Sequence, residues 1–264
     1  MKARTLPPLG IFDFILSFPL LEDLTVTTFG VFVPDRSSDR PQTIALHSTP
    51  PMTGSLRLLQ GGGMDRFARW LLSLPGGIHF WKLILTLVCE EGLLHSTPLV
   101  EGCSQTLEYL DISCEHFGMF IRHPICIGLF ITCFFLAEPG STLIDLSKAA
   151  GLKDVVFRVG PRSVGWVTTA LHTITPKHRD LRQISICMPR DVAIGGRVSD
   201  IIQSLGEAAS RRWSDLDRLL VEFWESRSIR PRVGYELGLG KENTDYFIGC
   251  LLPEITKRGI VDPI

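Results

Sequence analysis

The feature that most constrains this chain is a short pattern, apolar-x-x-apolar-x-apolar, that returns along its length. It reads Leu21, Leu24, Val26 in LEDLTV, then Phe80, Leu83, Leu85 in FWKLIL, then Leu107, Leu110, Ile112 in LEYLDI. It returns as Leu152, Val155, Phe157 in LKDVVF, as Leu181, Ile184, Ile186 in LRQISI, and as Leu216, Leu219, Val221 in LDRLLV. A weaker copy holds Leu56 and Leu59, and the first positions lie 35, 24, 27, 45, 29 and 35 residues apart. The period-two tail of each copy sends alternate side chains into a core, as a short strand does, and the first apolar residue packs behind it.

Between the copies the spacing turns helical: Met64, Phe67, Leu71, Leu74; Val164, Val167, Leu171, Ile174; Val198, Ile201, Ile202, Leu205, Ala209. Pro75, Gly76 and Gly77 end one such stretch and Pro176 another, because a proline ring cannot continue the helical ladder. Each unit therefore reads as one strand followed by one helix. Such a unit cannot bury its apolar face alone, and stacked neighbours supply the missing surface. The fold expected is α/β, an irregular leucine-rich-repeat-like solenoid of strand–helix units, forming one domain over residues 1–264. Residues 241–264, with Leu251, Leu252, Ile255 and Ile260, are expected to cap the stack. A regular horseshoe would carry an asparagine after each strand, and Asn243 is the sole asparagine, so the solenoid should be irregular. The competing fold is a layered, doubly wound α/β sheet, which also alternates strand and helix.

The long 45-residue interval contains an apolar insertion at about 114–138, of which 124–137 is uncharged and largely apolar. Those 14 residues fall short of the roughly 20 needed to span a bilayer. Extending the stretch to 117–137 gives 21 residues but includes Arg122 and His123. A buried insertion is one reading, and a membrane anchor through 117–137 is another. A third is translated intron sequence, since removing about 18 residues would restore the spacing of the other units.

Composition excludes several function classes. Apolar residues make up 45% of the 264 and charged residues 21%, which is unlike a disordered tail. With 27 basic and 28 acidic side chains the net charge is −1, which does not suit a nucleic-acid binder. Seven cysteines without a C-x-x-C pair suggest free thiols, not a disulfide framework or a zinc site. Residues 1–9, with Pro7 and Pro8, do not read as a secretory signal. The compartment expected is cytoplasm or nucleus, with a membrane location as the alternative.

No catalytic, cofactor-binding or metal-binding residue is expected. His178, Arg179, Asp180 and Leu181 match the start of a kinase catalytic loop, but Ser185 stands where magnesium-binding asparagine belongs and the other kinase motifs are missing. These residues read as the turn before LRQISI. Gly61, Gly62 and Gly63 lack a Walker lysine, and Glu242 replaces the needed hydroxyl after Gly238, Gly240 and Lys241; both stretches read as loops. His116 beside Cys114, and His123 beside Cys126, are adjacent in sequence only. Arg211 and Arg212 follow a helical pattern near where cations complement a helix dipole, and with Arg227, Arg230 and Arg232 they read as a solvated face. Trp70, Trp81, Trp166, Trp213 and Trp224 read as core anchors, except that an exposed tryptophan could serve as a binding hot spot.

The strand segments, together with LRLLQGGGMDRFARWLLSLPGGIHF at 56–80, TLEYLDI at 106–112 and ITPKHRDLRQISI at 174–186, resemble the repeat regions of basidiomycete F-box/leucine-rich-repeat-like proteins. That resemblance implies a repeat surface that selects a target for ubiquitination, joined to an F-box that binds the adaptor Skp1. Leu6 and Pro7 are followed by Pro8, Leu9 and Gly10, and Leu21 already belongs to the first unit, so Skp1 binding carries over to no residue here and would require an upstream F-box. The function expected is a non-enzymatic protein–protein interaction scaffold of leucine-rich-repeat type, with an unidentified protein partner and no nucleic acid. Its outward strand positions would include Thr25, Asp111, Arg182 and Ser185. The alternatives are the substrate-recognition part of an F-box ubiquitin ligase, and a membrane-associated protein.

Overall fold

A computed structural model describes residues 15, 22–27, 51–59, 64–87, 91–114, 144–161, 164–188, 198–203, 205–235, 240–260 and 262–263. The architecture is α/β. The strands are β1 (Asp23–Thr27), β2 (Met52–Leu59), β3 (Ile78–Leu87), β4 (Tyr109–Cys114), β5 (Asp154–Val159), β6 (Gln183–Met188), β7 (Arg230–Tyr235) and β8 (Asp262–Pro263). All pair in parallel, in chain order from β1 to β8, as one eight-stranded sheet. The order never reverses, so the sheet lacks the topological switch point of a doubly wound fold. The helices are α1 (Met64–Leu72), α2 (Glu91–Gly102), α3 (Gly165–His172), α4 (Val198–Gln203), α5 (Gly206–Arg227), α6 (Gly240–Leu251) and α7 (Pro253–Lys257).

Register stacks the repeat pattern into columns. Leu24, Leu56, Leu83, Leu110, Val155, Ile184 and Pro231 stand opposite one another along the sheet. Two residues on, Val26, Leu58, Leu85, Ile112, Phe157, Ile186 and Val233 form a second column. From β2 to β7 every member of both columns is buried, and each leucine so removed from water stabilises the fold by about 1.5–3 kcal/mol. Phe67, Ala68 and Leu71 of α1, and Trp166, Val167, Ala170 and Leu171 of α3, belong to the same core. The expected helical stretches thus form where Met64–Leu74 and Val164–Ile174 placed them, each ending two residues early.

Three expectations are corrected. LDRLLV is not a strand: Leu216, Leu219 and Val221 lie in the 22-residue helix α5. The same segment also satisfies helical spacing, with Trp213, Leu216, Leu220 and Phe223 buried and Asp215, Arg218 and Glu222 exposed, and this longer periodicity wins. The strand of that unit is RPRVGY, reached after Ser228 adopts φ 57° and ends the helix, so successive units are 32, 27, 27, 45, 29 and 47 residues apart. In the weak copy the inward pair is Leu56 and Leu58, while Leu59 falls on the other face. The single helix expected from Val198 to Ala209 is broken after Gln203, and Gly206, the first residue of α5, takes φ +70°.

Smaller corrections concern charge and loops. Arg211 and Arg212 sit near the start of α5, where Arg211 pairs with Glu207 at 3.5 Å, and Arg227 occupies the last turn. Arg212 packs over Gly165, whose absent Cβ would meet its Cδ at 3.0 Å. Gly240, Lys241 and Glu242 open helix α6 instead of forming a loop. Gly61 to Gly63 and residues 115–143, including the proposed anchor at 117–137, lie outside the described residues. Near the C-terminal end, buried Asp217 of α5 accepts bonds from the N–H groups of Glu254 (2.7 Å) and Ile255 (3.1 Å), capping α7 from another helix. Burial pushes its carboxyl above the usual range, while those two donors pull the other way.

Candidate protein-interaction face

Strand alternation that buries two columns necessarily turns three others to the opposite face. The first is Asp23, Ser55, Lys82, Tyr109, Asp154, Gln183 and Arg230; the second is Thr25, Arg57, Ile84, Asp111, Val156, Ser185 and Arg232. The third is Thr27, Leu59, Thr86, Ser113, Arg158, Cys187 and Gly234. Thr25, Asp111 and Ser185 therefore share one column on the face opposite the core, as their positions in the repeat predicted, but only Thr25 is exposed there, Asp111 and Ser185 being buried. Arg182 does not join them: it is exposed just before β6, where its N–H bonds the carbonyl of Lys153 at 2.8 Å.

The centre of the face is a forked ion pair. Arg158 donates from Nε to Asp111 Oδ1 and from Nη2 to Oδ2, each at 2.8 Å, with Asp111 almost fully buried and the Arg158 side chain 30% exposed. Asp111 holds the guanidinium firmly charged. Burial, and secondarily the Asp111 charge, push the Tyr109 phenol up to about 12, and burial pushes the Cys187 thiol up to about 11. Both groups therefore stay neutral at pH 7, the reverse of what an activated nucleophile needs. Beside them Gln183 Nε2 donates to Ser185 Oγ at 2.9 Å.

Towards β2 the face carries aromatic groups. The register slips between Gly54 and Ser55: Gly54 opposes Phe80 and Ser55 opposes Lys82, so Trp81 is an extra, bulged residue. Gly54 takes φ +98° there, and a Cβ would come within 2.0 Å of the Glu22 carbonyl oxygen. The bulge leaves Trp81 47% exposed, so this tryptophan is not a core anchor. Lys82 Nζ lies 4.9 Å from the Tyr109 ring centroid and 6.0 Å from that of Trp81. By contrast Trp166 and Trp213 are buried.

His178 of the HRDL tetrapeptide lies away from this face, in a turn, and it is buried. Its Nδ1 accepts the Thr175 N–H at 3.1 Å, which leaves Nε2 to donate to the Leu146 carbonyl at 2.8 Å. Arg227 ties the same turn by donating to the Thr175 carbonyl at 3.0 Å, whereas Arg179 and Asp180 are exposed. The histidine thus joins segments 32 residues apart, a role its sequence neighbours do not reveal. His178→Ala is expected to lower stability by about 1–3 kcal/mol in urea unfolding, because a buried carbonyl and a half-buried N–H lose their partner. A loss below about 0.5 kcal/mol would mean that water replaces the imidazole.

Among the described residues there is no cluster of three or more His, Cys, Asp or Glu that could hold a metal. Among them, too, no helix is long and apolar enough to cross a membrane. Cys103 and Cys187 are buried free thiols, Cys250 is an exposed one, and Cys114 is buried. No protein family, curated protein or solved structure matches the chain.

Proposed function

We propose that the chain is a non-enzymatic protein-interaction scaffold of leucine-rich-repeat type, an irregular solenoid whose polar sheet face binds a protein partner. The observation that carries this reading is the strictly sequential parallel order of the strands, which lays side chains from successive units side by side on one continuous face. Its chemistry suits recognition: Trp, Tyr and Arg, the residue types enriched in binding hot spots, stand on or beside it as Trp81, Tyr109, Arg57 and Arg230. The forked Asp111–Arg158 pair holds the middle of the face in one arrangement before any partner arrives, which lowers the ordering cost of binding.

The test is site-specific photo-crosslinking in a native extract, with benzoylphenylalanine at exposed Thr25 or Arg230 on the sheet face, compared with exposed Ser210 or Arg218 on α5. Protein adducts are expected from the first pair and not from the second. Equal adducts from both, or none from the sheet side, would overturn the reading.

A further inference from the structure

Arg57 and Lys82 lie diagonally on adjacent strands, because Lys82 opposes Ser55 and Arg57 opposes Ile84. Diagonal neighbours of this kind are about 7–8 Å apart, within reach of one another's long side chains. Among the described residues neither has an ion-pair partner. Asp111 is committed to Arg158, and Asp154 stands two strands from Lys82, or about 10 Å away by strand spacing. Asp23 lies diagonal to Arg57 on the side away from Lys82, and the two form no ion pair. Two like charges are therefore held on adjacent strands, and among the described residues no carboxylate pairs with either of them, in a chain whose overall charge is −1. Trp81 and Tyr109 flank the lysine, and they orient its ammonium while leaving Trp81 surface open to solvent.

We propose that the β2–β4 end of this face docks an acidic peptide segment of a protein partner. The inference rests on the scaffold reading above and narrows it to one part of the face and one ligand chemistry. Carboxylates of the segment meet Arg57 and Lys82, where a guanidinium can take a carboxylate through two parallel N–H bonds. An apolar side chain beside them covers the Trp81 ring, in the arrangement of a central aromatic anchor with charged neighbours. A single-stranded nucleic acid is the rival occupant, since stacking on the two rings beside two cations would also hold it. Two cations without a longer basic groove do not track a phosphate backbone, which disfavours that alternative.

The experiment is to pan a random 12-residue peptide library on phage against the intact chain. Recovered peptides are then made with a fluorescent label and titrated by anisotropy, beside a labelled oligothymidine of 12 nucleotides. The proteins compared are wild type, R57E/K82E, R57A/K82A, W81A, T25R and Q183R elsewhere on the sheet face and, as a control on α5, R218E, each checked for its folded circular dichroism. The recovered peptides should be rich in Asp and Glu. They should lose at least tenfold in affinity with R57E/K82E, several-fold with R57A/K82A and W81A, and nothing with R218E, and they should weaken as salt rises. Peptides that bind R57E/K82E as tightly as wild type, or an oligothymidine that binds more tightly than any peptide, would overturn the proposal. Recovered peptides that lack acidic residues yet are lost with T25R or Q183R would overturn it while leaving the scaffold reading in place. If no peptide depends on the sheet face, both fall together.

Discussion

Replacing Asp111 with alanine is expected to lower the unfolding free energy by about 2–4 kcal/mol. The substitution leaves the Arg158 guanidinium, held by two 2.8 Å bonds in the native protein, without its carboxylate. Breaking a fully buried pair by removing one partner costs about 3–5 kcal/mol. Arg158 keeps 30% of its side-chain exposure and a further contact of its own, so water recovers part of that loss. The double variant D111L/R158M should return to within about 1–2 kcal/mol of wild type, since desolvating the pair consumes much of its Coulomb attraction. Urea unfolding followed by circular dichroism measures both, with an unchanged slope confirming that only stability moved. A single-variant loss below about 0.5 kcal/mol would show that the pair behaves as a solvated surface bridge.

Trp213→Ala is expected to cost about 3–5 kcal/mol, the largest effect of any single substitution considered. The indole is 1% exposed, and its Nε1 donates to the Pro161 carbonyl at 2.7 Å, joining α5 to the chain that leaves β5. Truncation leaves both a ring-sized void and an acceptor without its donor. Trp213→Phe separates the two contributions: it keeps most of the apolar volume, loses the bond, and should cost about 1–2 kcal/mol. A phenylalanine variant as unstable as the alanine one would assign the whole effect to the hydrogen bond. Equality with wild type would assign it to packing.

The contrast between these two residues shows what a linear reading can reach. Trp213 lies on a helical stripe with Leu216 and Leu220, yet the six-residue template drew Leu216 and Leu219 into an expected strand. Six residues cannot separate the two periods, because Leu at positions one and four suits either. Helix α2 escaped notice for a related reason, since Pro98 lies inside it. Packing of neighbouring units offsets the bond that a proline removes. Trp81 is a third case. Its exposure follows from a slipped register against β2, beside a glycine at φ +98°, and FWKLIL read alone places nothing unusual there.

What the sequence by itself determined was the local alternation: β3 through β6, their inward pairs, and the facing of Thr25, Asp111 and Ser185. Those features depend on period two within a single segment, and burial of one face enforces it. Only the tertiary structure decided who stands beside whom. Asp111 meets Arg158 across 47 residues, His178 meets Leu146 across 32, and Lys82 comes to lie diagonal to Arg57. Such meetings are set by inter-strand register and by the lengths of the connecting helices and loops, and a register shift of one residue would exchange the buried and outward faces of a strand.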